Sequence, residues 1–253
     1  MSWRTSILMY HSISTVGGAT AIAPEVFAAQ MKLLAEARVP VLTLDDWYAA
    51  RIAGKLPRRS VVITFDDGFQ DFADVAWPVM KRYGFRPIVY LPTQFVGRPE
   101  GWRGIGAPPR ALMDWATITR LAGEGVLFGS HTRTHSDLTE LTPAQLIEEL
   151  AVAKHEIEAE LGCPCPHFAP PYGKAGRQEW AAIRGAYETS VGTRLNEAGP
   201  GDDRFDLPRL EMYYFTDLSS WRDHLAGRGS AYLVRRRALR WVRGRLMAPW
   251  AGL

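Results

Sequence analysis

Two hydrophobic periods alternate along this 253-residue chain. Short, almost continuously apolar runs occur at residues 5–10 (TSILMY), 39–44 (VPVLTL), 60–65 (SVVITF), 86–93 (RPIVYLPT) and 126–131 (VLFGSH). Three more follow at 167–171 (HFAPP), 187–193 (YETSVGT) and 207–213 (LPRLEMY). Runs of that length and continuity read as strands covered on both faces. Between them the apolar residues recur at helical spacing. In residues 24–38 they are Phe27, Met31, Leu34 and Ala35; in residues 141–162 they are Leu146, Leu150, Ile157 and Leu161. Thr142 and Gln145 form a capping box at the start of the latter helix, with Pro143 in its first turn. Further helices are expected at 45–54, 71–84, 113–125, 176–185 and 219–227, the second kinked at Pro78. A Gly/Pro-rich insertion, about Gln94 to Arg110, interrupts the alternation.

Strand–helix alternation without an internal repeat predicts a parallel sheet or barrel wrapped by helices, as one domain. A 47% hydrophobic composition supplies the core that this requires. A net charge of +3 gives no field for nucleic acid. The first residues hold no signal-peptide-like apolar run, and none approaches a membrane span, so a soluble, cytoplasmic monomer is expected. Cys163 and Cys165, one residue apart, leave little room for an unstrained disulfide and have no second pair for zinc; they read as structural thiols in a reducing compartment.

In α/β barrels the reactive side chains gather where strands end. Here the first strand ends in His11, the third run in Asp66-Asp67-Gly68, the fifth in His131-Thr132-Arg133-Thr134-His135, and HFAPP in Tyr172-Gly173. Adjacent acids resist joint ionisation unless a cation lies beside them. Asp with His131 and His135 makes a good zinc triad with open positions, and the second Asp is then available as a general base. Taken singly, a DDG is an ordinary turn, an H-x-x-x-H pair is weak evidence, and a lone His11 is a core histidine; together at strand ends they point to chemistry. His155, His167 and His224 read as solvated or structural.

TFDDGF and SHTRTHSDLT resemble the first two motifs of the polysaccharide deacetylases, carbohydrate esterase family 4, and the resemblance spans roughly residues 5 to 215. It implies a single-domain deformed (β/α)7 barrel with parallel strands that removes N-acetyl groups from amino sugars using a divalent metal. By position, Asp66 is implied as the base, and Asp67, His131 and His135 as metal ligands. PPYG resembles the third motif, placing Pro171 and Tyr172 at the acetate groove with the Tyr172 N–H at the oxyanion; Leu138, in the second motif, joins them as a substrate contact. Two departures stand out. The third motif lacks its usual Arg, and no Leu-x-His motif follows LPRLEM. Both fit a circularly permuted branch acting on poly-N-acetylglucosamine, in which the last motif lies on the first strand. LMYH then resembles that motif, making His11 the general acid, and LPR offers Arg209 as the guanidinium paired with Asp66.

The ligand set suits zinc but also cobalt, nickel or iron. Trp102, in the insertion, is a candidate sugar-stacking residue, whereas Trp115 is as well suited to the core. Other acyl groups, a small or lipid-linked amino sugar, and a catalytically inactive carbohydrate-binding homologue remain alternatives. Residues 1–228 form the expected catalytic domain, and 229–253 a basic helical tail. In that tail Val234, Ala238, Leu239, Trp241, Val242 and Leu246 share one side. Arg236, Arg237, Arg240 and Arg243 share the other, with Arg235 and Arg245 intruding on the apolar arc. The tail either packs on the barrel with a solvated basic face or attaches to an anionic membrane, where a glycolipid substrate would be met.

Overall fold

The computed structural model describes residues 3–16, 18, 20–102 and 108–246, with side chains as far as residue 242. The expected roles of Arg243, Arg245 and Leu246 therefore lie outside the described side chains, as do residues 247–253 altogether.

Seven parallel strands close into a barrel: β1 (Arg4–Tyr10), β2 (Arg59–Phe65), β3 (Ile88–Leu91), β4 (Leu127–Ser130), β5 (His167–Phe168), β6 (Thr189–Leu195) and β7 (Leu207–Glu211). β1 and β2 pair from Arg4↔Arg59 to Tyr10↔Phe65, and β1 meets β7 at Leu8↔Leu210 to complete the ring. β5 is only two residues long because Pro166 and Pro170 bracket it, and a proline has no N–H to give a neighbouring strand. That weak strand is the deformation of the barrel.

Strand alternation separates two apolar cores. Ile7, Val62, Ile88, Tyr90, Val191 and Leu207 form the cluster inside the barrel. Leu8, Tyr10, Val61, Ile63, Val89 and Leu210 belong to the larger cluster under the outer helices. Those helices are α1 (Pro24–Ala37), α3 (Trp77–Lys81), α4 (Trp115–Gly123), α5 (Pro143–Leu161), α6 (Arg177–Ala186), α7 (Leu218–Leu225) and α8 (Ser230–Leu246). The remaining helix, α2 (Leu44–Ile52), contributes the fully buried Leu44 and Trp47 to the inner cluster, and Trp47 Nε1 donates to Thr5 Oγ1 at 2.8 Å.

Two expectations change. Residues 39–44 form no strand, only an isolated bridge of Val41 to Val61, because Thr43 caps α2 by accepting from Asp46 N and the chain turns helical at once. Residues 70–81 are helical throughout, and the irregularity expected at Pro78 takes the form of a π-helical stretch, Phe72–Ala76, directly before Trp77 and Pro78. The capping box of Thr142 and Gln145 is present. Both cysteines are free thiols, Cys165 buried and Cys163 exposed.

Candidate metal centre and active site

The β1–β2 register continues one step past the strands, with Asp66 N donating to Tyr10 O. This sets His11 beside Asp66, and His11 Nε2 lies 3.8 Å from Asp66 Oδ2. Arg209, on the inward face of β7 and 1% exposed, clamps the same carboxylate from across the barrel interior. Its Nη1 and Nη2 each donate to Asp66 at 2.7 Å. Its other bonds go to Gly192 O and Thr64 Oγ1, so the fork has one orientation. Burial opposes the Asp66 charge, but the guanidinium outweighs it and holds the carboxyl below its ordinary range.

Asp67 faces the other way. His131 Nε2 and His135 Nε2 approach its Oδ1 at 3.4 and 3.2 Å, and the three donor groups lie within 4.8 Å of one another. His131 Nδ1 meets Ala169 O at 2.6 Å, which leaves Nε2 as the lone-pair nitrogen toward Asp67. Two imidazoles and a carboxylate converging on one point, all buried, fit a divalent cation of the zinc type. Burial works against Asp67's charge, yet without a cation the two imidazoles, when protonated, hydrogen-bond to it and hold it well below the usual carboxylate range. His131 is raised, the Asp67 bond outweighing burial; His135 is lowered, burial prevailing.

The backbone records the effort of building this site. Asp67, Thr132, His135 and Tyr172 all have positive φ (74°, 67°, 57° and 60°), and among the described non-glycine residues only Arg38 shares that property. Such conformations persist only where surroundings over-determine them, and they cluster at functional sites. Gly68 follows Asp67 with φ 71°, and a Cβ there would come within 2.7 Å of Leu91 Cδ2. The DDG turn therefore needs its glycine.

Three polar anchors had escaped the sequence reading. Glu149 of α5 accepts from Arg133 N and Thr134 N through one oxygen, both at 2.8 Å, and from Thr134 Oγ1 through the other, fastening the loop between the two histidines. Its signal was a carboxylate within the buried stripe of Leu146, Leu150 and Ala153. Asp71 accepts from Ser12 Oγ at 2.5 Å and Ile13 N at 2.9 Å, tying the loop after His11 to the loop after β2. Glu211, at the end of β7, has its carboxyl pushed up by burial while the His11 charge acts in the opposite sense.

The substrate candidates divide. Tyr172 stands exposed at the rim, with its ring edge-on to His135. Pro171 is buried beside it. Leu138 is fully buried in the main core, without exposed surface. Trp102 stacks on His135 (centroids 3.9 Å apart) with Phe95 against its edge, so one indole face is already covered by the candidate ligand. Trp115 packs against the main core. Of the other histidines, His155 is exposed. His167 is held by Thr189 and Asp45, and His224 by Ser6.

A sequence model of the polysaccharide deacetylase domain matches residues 53–187, which carry Asp66, Asp67, His131, His135 and Tyr172. The chain belongs to the polysaccharide deacetylase family. Among family relatives, the poly-beta-1,6-N-acetyl-D-glucosamine N-deacetylase of Staphylococcus aureus is 31% identical over 196 residues, covering 73% of this chain and 65% of that protein. The Bacillus subtilis protein YxkH is 27% identical over 211 residues, covering 83% and 71%. Of solved structures, IcaB from Ammonifex degensii superposes with a TM-score of 0.73 at 24% identity, over 90% of this chain and 97% of its own. Streptococcus pyogenes deacetylase PplD does so with 0.73 at 23% identity, over 83% and 92%. At those identities the likeness is one of fold, the deformed seven-stranded barrel of these deacetylases.

Proposed function

We propose that this polysaccharide deacetylase is a divalent-metal-dependent N-deacetylase of N-acetylglucosamine-type glycans. The observation that carries the proposal is the division of labour between two adjacent carboxylates. Asp66 is locked to Arg209 while Asp67 faces His131 and His135. The likeness to poly-N-acetylglucosamine deacetylases supports the substrate class.

A cation held by Asp67, His131 and His135 would supply the charge that polarises an acetyl carbonyl and acidifies water. Asp66, oriented by Arg209, takes the proton from the attacking water. His11, reaching the mouth from the end of β1, delivers a proton to the amide nitrogen so that the C–N bond breaks with release of a neutral amine and acetate. The Tyr172 N–H is assigned to the developing oxyanion, a preorganised donor of the kind worth ~3–4 kcal/mol.

The test combines deacetylation assays on chito-oligomers and a poly-β-1,6-linked glycan with calorimetric metal titration of Asp66→Asn and Asp67→Asn. Asp66→Asn should keep metal affinity and lose turnover; Asp67→Asn should lose affinity. Equal loss of affinity in both variants would reject the assignment, and a full rate after exhaustive chelation would reject the metal.

A further inference from the structure

The terminal helix α8 lies on the barrel the opposite way round from an ordinary surface helix. Leu233 is buried in the main core, and Tyr232 OH donates to Tyr214 O just beyond β7. The next contacts are made by arginines. The Arg236 guanidinium lies 5.1 and 5.2 Å from the ring centroids of Tyr214 and Tyr232, and Arg240 Nη1 donates to Thr193 O at 2.8 Å. Positions 233, 236 and 240 are one helical face, so the inward side of α8 is largely its basic side. The outward side carries Val234, Leu239 and Val242, which are 54%, 54% and 42% exposed. The first of the two expectations for the tail, packing on the barrel with a solvated basic face, does not match this arrangement, in which Arg236 and Arg240 face the barrel.

Exposed Val234, Leu239 and Val242, with Arg235 among them, make an amphipathic outward face of the kind that marks an interaction surface. Its charge selects the occupant. Residues 230–246 contain arginines at 235, 236, 237, 240, 243 and 245 and no acid. A second copy would set that charge against an identical one, whereas an anionic lipid surface complements both the apolar arc and the arginines flanking it. No helix among the described residues is long and apolar enough to cross a membrane, so contact would be in the plane of the interface.

We propose that α8 docks this enzyme on an anionic lipid surface through Val234, Leu239 and Val242, with Arg235 at the headgroups. The helix runs along the rim that holds the candidate site. Trp241, Arg237 and Arg240 line, together with Gly173, Trp180 and Thr193, an open groove of about 460 Å³, and Gly173 adjoins Tyr172.

The experiment is co-sedimentation of the full chain with vesicles of phosphatidylcholine alone or with one-third phosphatidylglycerol. The wild type should sediment with the anionic vesicles, less so as salt rises, and not with the neutral ones. Arg235→Glu, a change of two charges, should weaken partitioning by roughly thirtyfold, and Leu239→Ser/Val242→Ser should also release the protein. Thermal unfolding confirms that each variant is folded, and two chemically different variants guard against a folding failure in either. Absence of the wild type from anionic vesicles would overturn the proposal, as would unchanged binding of both folded variants. A solution dimer that Leu239→Ser/Val242→Ser converts to monomer would assign the face to a second copy instead.

Discussion

Replacing Arg209 with Met keeps most of the side chain's volume and removes its charge, leaving the Asp66 carboxylate buried without the fork that holds both its oxygens at 2.7 Å. Arg209 is 1% exposed, so water cannot readily take its place. Removing one partner of a buried ion pair costs about 3–5 kcal/mol, because the remaining charge is uncompensated. For a chain of this length unfolding entropy is large, and 1 kcal/mol moves the midpoint by roughly 2 °C, so Tm should fall by about 6–10 °C. Removing both charges together should relieve the penalty: Asp66→Asn/Arg209→Met should unfold nearer the wild type than Arg209→Met alone. Arg209→Lys should fall between, since an ammonium keeps the charge but cannot make the two-pronged contact. Calorimetry at one fixed free zinc concentration measures all four proteins without ligand stabilisation differing for trivial reasons. In parallel, deacetylation by Arg209→Met should drop by about 10²-fold through misplacement of Asp66. If Arg209→Met melts within 1 °C of wild type, or if the double variant is no more stable than the single, the clamp does not hold Asp66 as described.

His11→Ala should retain fold and metal but lose ~10²–10⁴-fold in amide hydrolysis, and far less toward an activated acetate ester, whose leaving group needs little protonation; equal losses on amide and ester would return His11 to a structural role. Glu149→Ala strips acceptors from two backbone N–H groups between the metal-site histidines, and metal affinity should fall roughly 10–100-fold by calorimetric titration, with undiminished affinity counting against Glu149 as the loop's anchor. His224 is lowered by burial, with the Arg59 charge adding to it and Glu197 opposing. Its neutral form therefore stabilises the fold fully above the unfolded value of ~6.5, and that contribution is lost as pH falls through the lower folded value. His224→Gln should flatten the decline of Tm between about pH 7 and 5, where the wild type loses this contribution, and parallel slopes for the two proteins would show that the buried histidine is not the titrating group.

By itself the sequence singled out the candidate site residues and their approximate address. Asp66, Asp67, His131 and His135 were legible because each follows a short apolar strand, and a parallel barrel brings all strand ends to one rim whatever their separation in the chain. The helix start at Thr142 was legible for a local reason, since a cap bonds within its own first turn. Tertiary structure decided what depends on distant partners. The Asp66–Arg209 pair had been offered only by the family resemblance; its two-pronged clamp spans 143 positions and forms because the ring closes between β1 and β7. Glu149 became an anchor because α5 packs beside the histidine loop, a contact that helical periodicity records merely as one carboxylate out of place. The fate of residues 39–44 was a contest between an apolar run and the cap at Thr43, which the cap won. Trp102 met His135 rather than open solvent. The facing of α8 was least accessible of all: amphipathicity defines two sides of a helix, but only the aromatic ledge of Tyr214 and the open carbonyl of Thr193 decided that arginines would turn inward and the apolar side out.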